Sequence, residues 1–290
     1  MAPEKVSENS NLDKLMIYIP AYNASSTLPR VLERIPADIK KSAHEILVID
    51  NHSPDNTYLV AVGMKHQNNL YNLQIIRNST NVGYGGSQKI AYQRCIAGDE
   101  TAGQAAVQCK GIAMLHGDAQ YAPELLGDLI RPILDGKADM VFGSRMAGDP
   151  RKGGMPIHRY WGNRFLTGIQ NWALGTKLTE FHSGYRVYAS DALKKVPFQR
   201  LSSDYHFDTE IIILFVEHGL KIVEMPIPTH YGDEENYVNI WKYGVDVLVT
   251  TFTYVLHKRG WRKSKRWSAI LDGPATSAAA KAKAAEVRAP

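Results

Sequence analysis

Short continuous apolar runs alternate along the chain with longer stretches in which apolar residues recur every three or four positions. The runs "KLMIYIP", "HEILVID", "LQIIRN", "GIAMLHGDA", "ADMVFGSRM" and "KIVEMPIP" are too short for buried helices and read as buried strands. Between them "TLPRVLERIP", "NTYLVAVGMKHQ", "GGSQKIAYQRCIAG", "RYWGNRFLTGIQNWALG" and "FDTEIIILFVEHG" carry helical patterns. Such alternation predicts an α/β domain, a mostly parallel central sheet with helices on both faces.

Several predicted strands end in polar clusters: "PAYNAS" after the first, "DNHSPDNT" after the second and "HGDAQ" after a later one. In open α/β sheets ligands bind outside the carboxyl ends of the strands, so these clusters should converge on one cleft. The Gly/Pro/Arg-rich loop "AGDPRKGGMPIHR" is placed to cover it. From Val245, the residues Leu248, Val249, Phe252, Val255 and Leu256 continue a helical stripe. With Asp246 inside it, that stripe falls short of the ~20 apolar residues a membrane span needs. The Ala/Lys/Ser-rich end has too little apolar surface to order itself.

Composition adds two constraints. The chain has 290 residues, 44% of them hydrophobic, enough for a substantial core, and its two cysteines, Cys95 and Cys109, have neither metal nor disulfide-framework spacing. No secretory pattern opens the chain, so a reducing, cytoplasmic location is expected. The net charge of +5 is concentrated in "KRGWRKSKR" (258–266); the residues before it hold 25 bases against 27 acids. The basicity belongs to the C-terminal segment, which argues against nucleic acid as a partner of the core.

Taken together, "IPAYNASSTL", "EILVIDNHSPDNT", "NVGYGGSQKIAYQ", "MLHGDAQY", "VFGSR", "FHSGYRVY" and "FDTEI" resemble, in order and spacing, family 2 glycosyltransferases of the GT-A (Rossmann-like) fold. Within that family the chain looks most like the synthases that load a sugar on dolichyl or polyprenyl phosphate. The resemblance covers roughly residues 14–235. It implies a flexible N-terminus (1–13), a glycosyltransferase domain (14–240), an amphipathic helix with a basic, Trp-containing segment (241–267) and a disordered tail (268–290).

The resemblance also implies residue roles. Where the family reads Asp-Xaa-Asp with a following Gln, this chain has His116, Asp118 and Gln120, an expected site for Mn²⁺ or Mg²⁺ beside the donor diphosphate. Imidazole in place of the first carboxylate suits Mn²⁺ better than Mg²⁺, and His116 could equally hydrogen-bond the donor or a neighbour. Pro20, Tyr22, Asn23 and Asp50 match the nucleotide side, with Gly83 for close backbone approach and Lys89 as a phosphate contact. Arg145, Arg159, Asn163 and Arg186 match the acceptor-phosphate side, and guanidinium forks suit phosphate. Asp208 matches an acidic helix start; it or Asp204 would serve as base if the acceptor were a hydroxyl. Glu180 stands where Asp is more usual.

The expected reaction is an inverting, metal-dependent transfer from a UDP- or GDP-sugar to polyprenyl or dolichyl phosphate, by an enzyme peripheral on the cytoplasmic membrane face. The basic segment, with Trp261 and Trp267, is expected to meet anionic headgroups. Two alternatives stay open: transfer to a sugar hydroxyl, and a non-catalytic nucleotide-sugar-binding subunit. A monomer and a homo-oligomer are both compatible with the sequence.

Overall fold

The computed structural model describes residues 11–97, 109–228 and 239–272. Seven strands form one sheet: β1 (Leu15–Ala21), β2 (Glu45–Asp50), β3 (Leu73–Arg77), β4 (Gly111–Met114), β5 (Met140–Ser144), β6 (Arg186–Ala189) and β7 (Ile222–Pro226). The helices are α1 (Leu28–Arg34), α2 (Ala37–Ser42), α3 (Thr57–Gln67), α4 (Tyr84–Ala97), α5 (Leu126–Leu134), α6 (Ile157–Leu174), α7 (Ser190–Lys195), α8 (Phe207–Glu217), α9 (Ile240–Lys258) and α10 (Lys265–Leu271). The strand order is β3-β2-β1-β4-β6-β5-β7. Among the described residues only β6 runs antiparallel to its neighbours, against both β4 and β5.

Burial on both faces explains the continuous apolar runs. Alternate residues of β1 separate two cores. Leu15, Ile17 and Ile19 pack with α1, α2, α3 and α5, whereas Met16 and Tyr18 pack with α4, α7 and α8. Each fully buried aliphatic side chain contributes about 1.5–3 kcal/mol of transfer free energy. The predicted α/β class is therefore observed, and β6 is the element the runs left out.

The expected boundaries change at both ends. Within the N-terminal stretch read as flexible, residues 1–10 lie outside the described residues, but Asn11–Lys14 makes a 3-10 turn with Leu12 buried. At the other end α10 is capped by the Ser264 side chain and buries Trp267 and Ile270 in the second core. The helix thus crosses the expected 267/268 boundary and packs into the domain; the rest of the expected tail, 273–290, lies outside the described residues. Among the described residues no helix is long and apolar enough to cross a membrane.

Candidate active site

The carboxyl ends of β1 and β4 open into one cleft of ≈ 1410 Å³. After β1 the chain turns through Asn23 in the left-handed region (φ 51°). Its next amides are taken by side chains that follow β2: Asn23 N–H donates to Ser53 Oγ, Ala24 N–H to Thr57 Oγ1 and Ser25 N–H to Asp55 Oδ2. Burial would raise the Asp55 carboxyl, but bonds from Thr57 and Ser25 hold it below its ordinary range. Pro20, Tyr22 and Asn23 all line the cleft, and the buried Asn23 Oδ1 has no protein donor. An acceptor left this way is suited to a ligand's donor group.

The β4 end carries His116, Asp118 and Gln120 into the same cleft. Asp118 Oδ1 accepts the Gln120 N–H at 3.0 Å, and Oδ2 faces His116 Nδ1 at 3.7 Å. Burial works to raise the Asp118 carboxyl, yet the facing imidazole and the Gln120 amide hold it below the usual carboxylate range, so it is ionised at neutral pH. His116 is packed edge-on to Tyr84 and Tyr121. A Cβ on Gly184 would lie 2.2 Å from His116 Nε2, so glycine is what leaves room for the ring.

Tyr84 connects this corner to Asp208. Its hydroxyl donates to Asp208 Oδ2 at 3.1 Å and lies 3.1 Å from His116 Nε2. One hydroxyl proton cannot serve both, so while it is donated to Asp208 the His116 Nε2–H donates to the Tyr84 oxygen. Asp208, at the start of α8, also accepts from Gln88 Nε2 at 3.2 Å and pairs with Arg186 Nη1 at 3.5 Å. Arg186 is fully buried; its guanidinium donates to the carbonyls of Ser183, Phe181 and Asp208. Burial disfavours that cation, but Asp208 and the surrounding tyrosines raise its pKa above its ordinary value.

The opposite wall is built on Glu180. Its buried carboxylate accepts from Arg145 N–H (2.8 Å), Arg145 Nε (2.8 Å) and Asn163 Nδ2 (2.7 Å). Burial pushes the Glu180 carboxyl up, and Arg145 more than reverses the push. His182 sits beside it, with Nδ1 on the Tyr243 hydroxyl (2.8 Å) and a buried Nε2 without a protein partner. Arg145, His158, Arg159 and Asn163 line this end.

The cleft therefore gathers Pro20, Tyr22, Asn23, Gly83, His116, Asp118, Gln120, Arg145, Arg159, Asn163 and Asp208. Three expected residues stand elsewhere. Asp50 is not among the lining residues: it is buried, takes the Ser53 N–H on Oδ1 and faces Arg77 at 3.3 Å, while its buried Oδ2 accepts no hydrogen bond from the protein. Lys89 donates to Leu201 O and Ser203 Oγ, stapling the 201–203 loop to α4. Arg186 braces Asp208 from behind and does not reach the acceptor side. Gly83 does permit a close approach, but to protein: its Cβ would meet Ser203 O at 2.3 Å, and Ser203 O takes the Gly85 N–H.

Residues that pattern reading missed are Tyr84, Tyr205, His182 and Tyr243. Tyr84 stacks on Tyr205 with ring centroids 5.1 Å apart. Only "FHSGYR" offered a signal, a histidine two residues from the acid that anchors Arg145.

A divalent cation fits the β4 corner by its donor set. An ionised carboxylate, an imidazole nitrogen facing it and a neighbouring amide, all at the cleft wall, match borderline cations that also take substrate phosphates. A second group, Asp204, His206 and Asp246, is close enough to chelate, but Lys242 Nζ already pairs with Asp204 (2.6 Å) and Asp246 (2.9 Å).

Comparison with known proteins agrees with this architecture. The model of glycosyl transferase family 2 matches residues 16–197. The UDP-N-acetylglucosamine–dolichyl-phosphate N-acetylglucosaminyltransferase of Methanococcus voltae is 27% identical over 232 residues, 76% of this chain and 88% of that protein. The polyprenol monophosphomannose synthase of Mycolicibacterium smegmatis is 24% identical, over 74% of this chain and 76% of its own. Glucosyl-3-phosphoglycerate synthase of Mycobacterium tuberculosis, solved with UDP, superposes with a TM-score of 0.60 at 15% identity, covering 83% of this chain and 80% of that one. The same enzyme with Mn²⁺, UDP and its product gives 0.58 at 14% identity, covering 83% and 79%. At such identities these two structures establish the fold alone. The family match over more than half the chain and the shared α/β architecture lead to one conclusion: the chain belongs to glycosyl transferase family 2, as a nucleotide-sugar glycosyltransferase of GT-A fold.

Proposed function

We propose that the enzyme transfers a sugar, with inversion, from a nucleoside-diphosphate sugar to a polyprenyl or dolichyl phosphate at a membrane surface. The observation that carries this reading is the state of the carboxylates lining the cleft. Asp55 is held by Ser25 and Thr57, Asp118 by Gln120 and His116, Asp204 by Lys242, and Asp208 by Tyr84, Gln88 and Arg186. A hydroxyl acceptor needs a carboxylate ready to take its proton, whereas a phosphate arrives ionised and needs only orientation. Arg145, Arg159 and His158 on the acceptor wall suit that second task. The names of the archaeal and mycobacterial relatives, a dolichyl-phosphate transferase and a polyprenol phosphomannose synthase, point the same way.

In the proposed reaction a phosphate oxygen of the acceptor bonds to the anomeric carbon as that carbon's bond to the donor diphosphate breaks. The electron pair leaves with the nucleoside diphosphate, and no proton has to be removed. Pro20, Tyr22 and Asn23 would hold the nucleotide end, while Arg145 and Arg159, the former fixed by Glu180 and Asn163, would hold the incoming phosphate. A Mn²⁺ or Mg²⁺ ion held by Asp118, Gln120 and His116 would neutralise the leaving diphosphate. Asp208 acts in this scheme as a positioning residue that orients Tyr84.

The test is transfer from labelled UDP-glucose, UDP-N-acetylglucosamine and GDP-mannose to detergent-dispersed polyprenyl phosphate, followed by organic extraction. We expect label in the organic phase with one donor, abolished by a chelator, and reduced at least ~100-fold in Asp118→Asn. Label recovered only in a water-soluble glycan would replace this reading with hydroxyl transfer, and nucleotide binding without transfer would make the protein a binding subunit.

A further inference from the structure

Helix α6 is inverted. Its buried face is polar: Asn163 bonds Glu180, Thr167 bonds Asn163 and Gln170 bonds Thr209. Its exposed face is apolar, with Ile157, Trp161, Phe165 and Trp172 each about 60% exposed and spaced by roughly whole turns. Helix α9 also exposes apolar residues, Trp241, Val245, Val249 and Phe252, while its inner face packs Val247, Tyr254 and Val255 into the domain beside Thr250 and Thr251. The two helices pack together. Gly162 and Leu166 of α6 share the cleft wall with Ile240 and Tyr243 of α9. At the other end Arg259 lies 5.1 Å from the Trp172 ring and 5.0 Å from that of the exposed Trp261. The helices therefore run side by side in the same direction, and their outward stripes lie on either side of one seam that starts at the cleft.

Apolar area of this extent on a soluble face needs an occupant. The charge pattern selects one. Helix α6 has no acidic residue and carries His158, Arg159 and Arg164. The only acid of α9, Asp246, pairs with Lys242, which it shares with Asp204. Beyond α9, Arg259, Arg262, Lys263 and Lys265 are exposed. Exposed Trp and Phe rimmed by an excess of bases match the interface of an anionic bilayer.

We infer that the joint outer face of α6 and α9 docks on an anionic lipid surface, bringing the mouth of the cleft to headgroup level. This rests on the lipid-phosphate reading and deepens it, because the face adjoins the wall that holds Arg159 and Asn163. It also revises the sequence expectation, which assigned membrane contact to the basic segment and its two tryptophans. Trp267 is buried against Tyr254, and α6 takes its place.

The experiment is co-sedimentation of the full chain with vesicles of equimolar phosphatidylcholine and phosphatidylserine, and with phosphatidylcholine alone. The wild type should bind the mixed vesicles and lose that binding in high salt. Trp161→Ser with Phe165→Ser, and separately Trp241→Ser with Val249→Ser, should each weaken binding at least ~tenfold. Tyr71→Ser, a still more exposed aromatic outside the face, should leave it unchanged. Transfer to a detergent-dispersed acceptor is measured in parallel. Absence of vesicle binding with transfer intact overturns the docking face alone, and so does a wild-type dimer that the α6 variant dissociates. Vesicle binding lost in the helix variants, but with no transfer to any lipid phosphate, supports docking while rejecting the acceptor assignment.

Discussion

His182 shows how a single partly buried side chain makes stability depend on pH. Burial pushes its imidazole from the ordinary 6.5 down to about 4, against the upward pull of the Glu180 carboxylate. Between those two values the unfolded chain holds a proton on this residue that the folded chain does not. Stability therefore rises with pH across the window: His182 imposes no penalty above 6.5, and the full cost is reached as pH falls to about 4. At 1.36 kcal/mol per pKa unit the effect has a ceiling of about 3 kcal/mol. Glu180 acts in the same sense at lower pH, since its folded pKa is depressed and its contribution is lost as pH drops through that value. Thermal melts from pH 7 to 4 should fall in the wild type, and His182→Asn should flatten the upper part of the fall. A variant whose profile parallels the wild type would remove His182 from this role. The histidine of "FHSGYR" is legible as a candidate beside Glu180, but its depressed pKa is not, because that comes from the burial that folding against Tyr243 imposes. Asp118 and Arg145 were legible for the opposite reason: strand-end position is local, and it is enough to aim them at the cleft.

At the scale of elements, the glycine-rich start of α4 was legible as a place of close approach but not in what approaches. Gly83 (φ +82°) and Gly85 let the helix start press on the Ser202–Ser203 backbone, and Lys89 closes the same contact from the next turn. A pattern that resembles phosphate binding thus fixes the loop carrying Asp204 and Tyr205 at the cleft edge. Gly83→Ala should cost more than ~1 kcal/mol, because it meets both an unfavourable φ and a carbonyl 2.3 Å from the new Cβ. Gly63→Ala in α3, where nothing lies within 4 Å of the added carbon, is the control and should hold or raise the melting temperature. Equal melting temperatures for the two variants would show that the 203 loop yields without cost. Element reading failed in a similar way at β6, whose run "RVYA" is as short as β4, opens on a charged residue and passes straight into α7. Its antiparallel place between β4 and β5 is a property of the sheet.

For the whole molecule, alternation of apolar runs and helical stripes sufficed to give the class of fold, since a sheet buried on both faces leaves few other solutions. The position of the C-terminal segment did not follow, because Trp261 and Trp267 occupy like surroundings in sequence and opposite ones in space. Trp261 is 69% exposed beside Arg259, while Trp267 is 1% exposed, packs edge-on to Tyr254 and donates its indole N–H to Thr253 Oγ1 at 3.2 Å. What separates them is Ser264, whose side chain caps α10 and turns the second indole inward. Trp267→Ala should therefore destabilise the domain by about 3–5 kcal/mol, the range for a deleted core aromatic. Trp261→Ala should change stability by no more than about 0.5 kcal/mol. Chemical denaturation of both variants measures the difference, and vesicle sedimentation of Trp261→Ala asks whether the exposed indole contributes to the docking face. Equal stability losses would mean that α10 does not close the second core, and the catalytic domain would then end at α9.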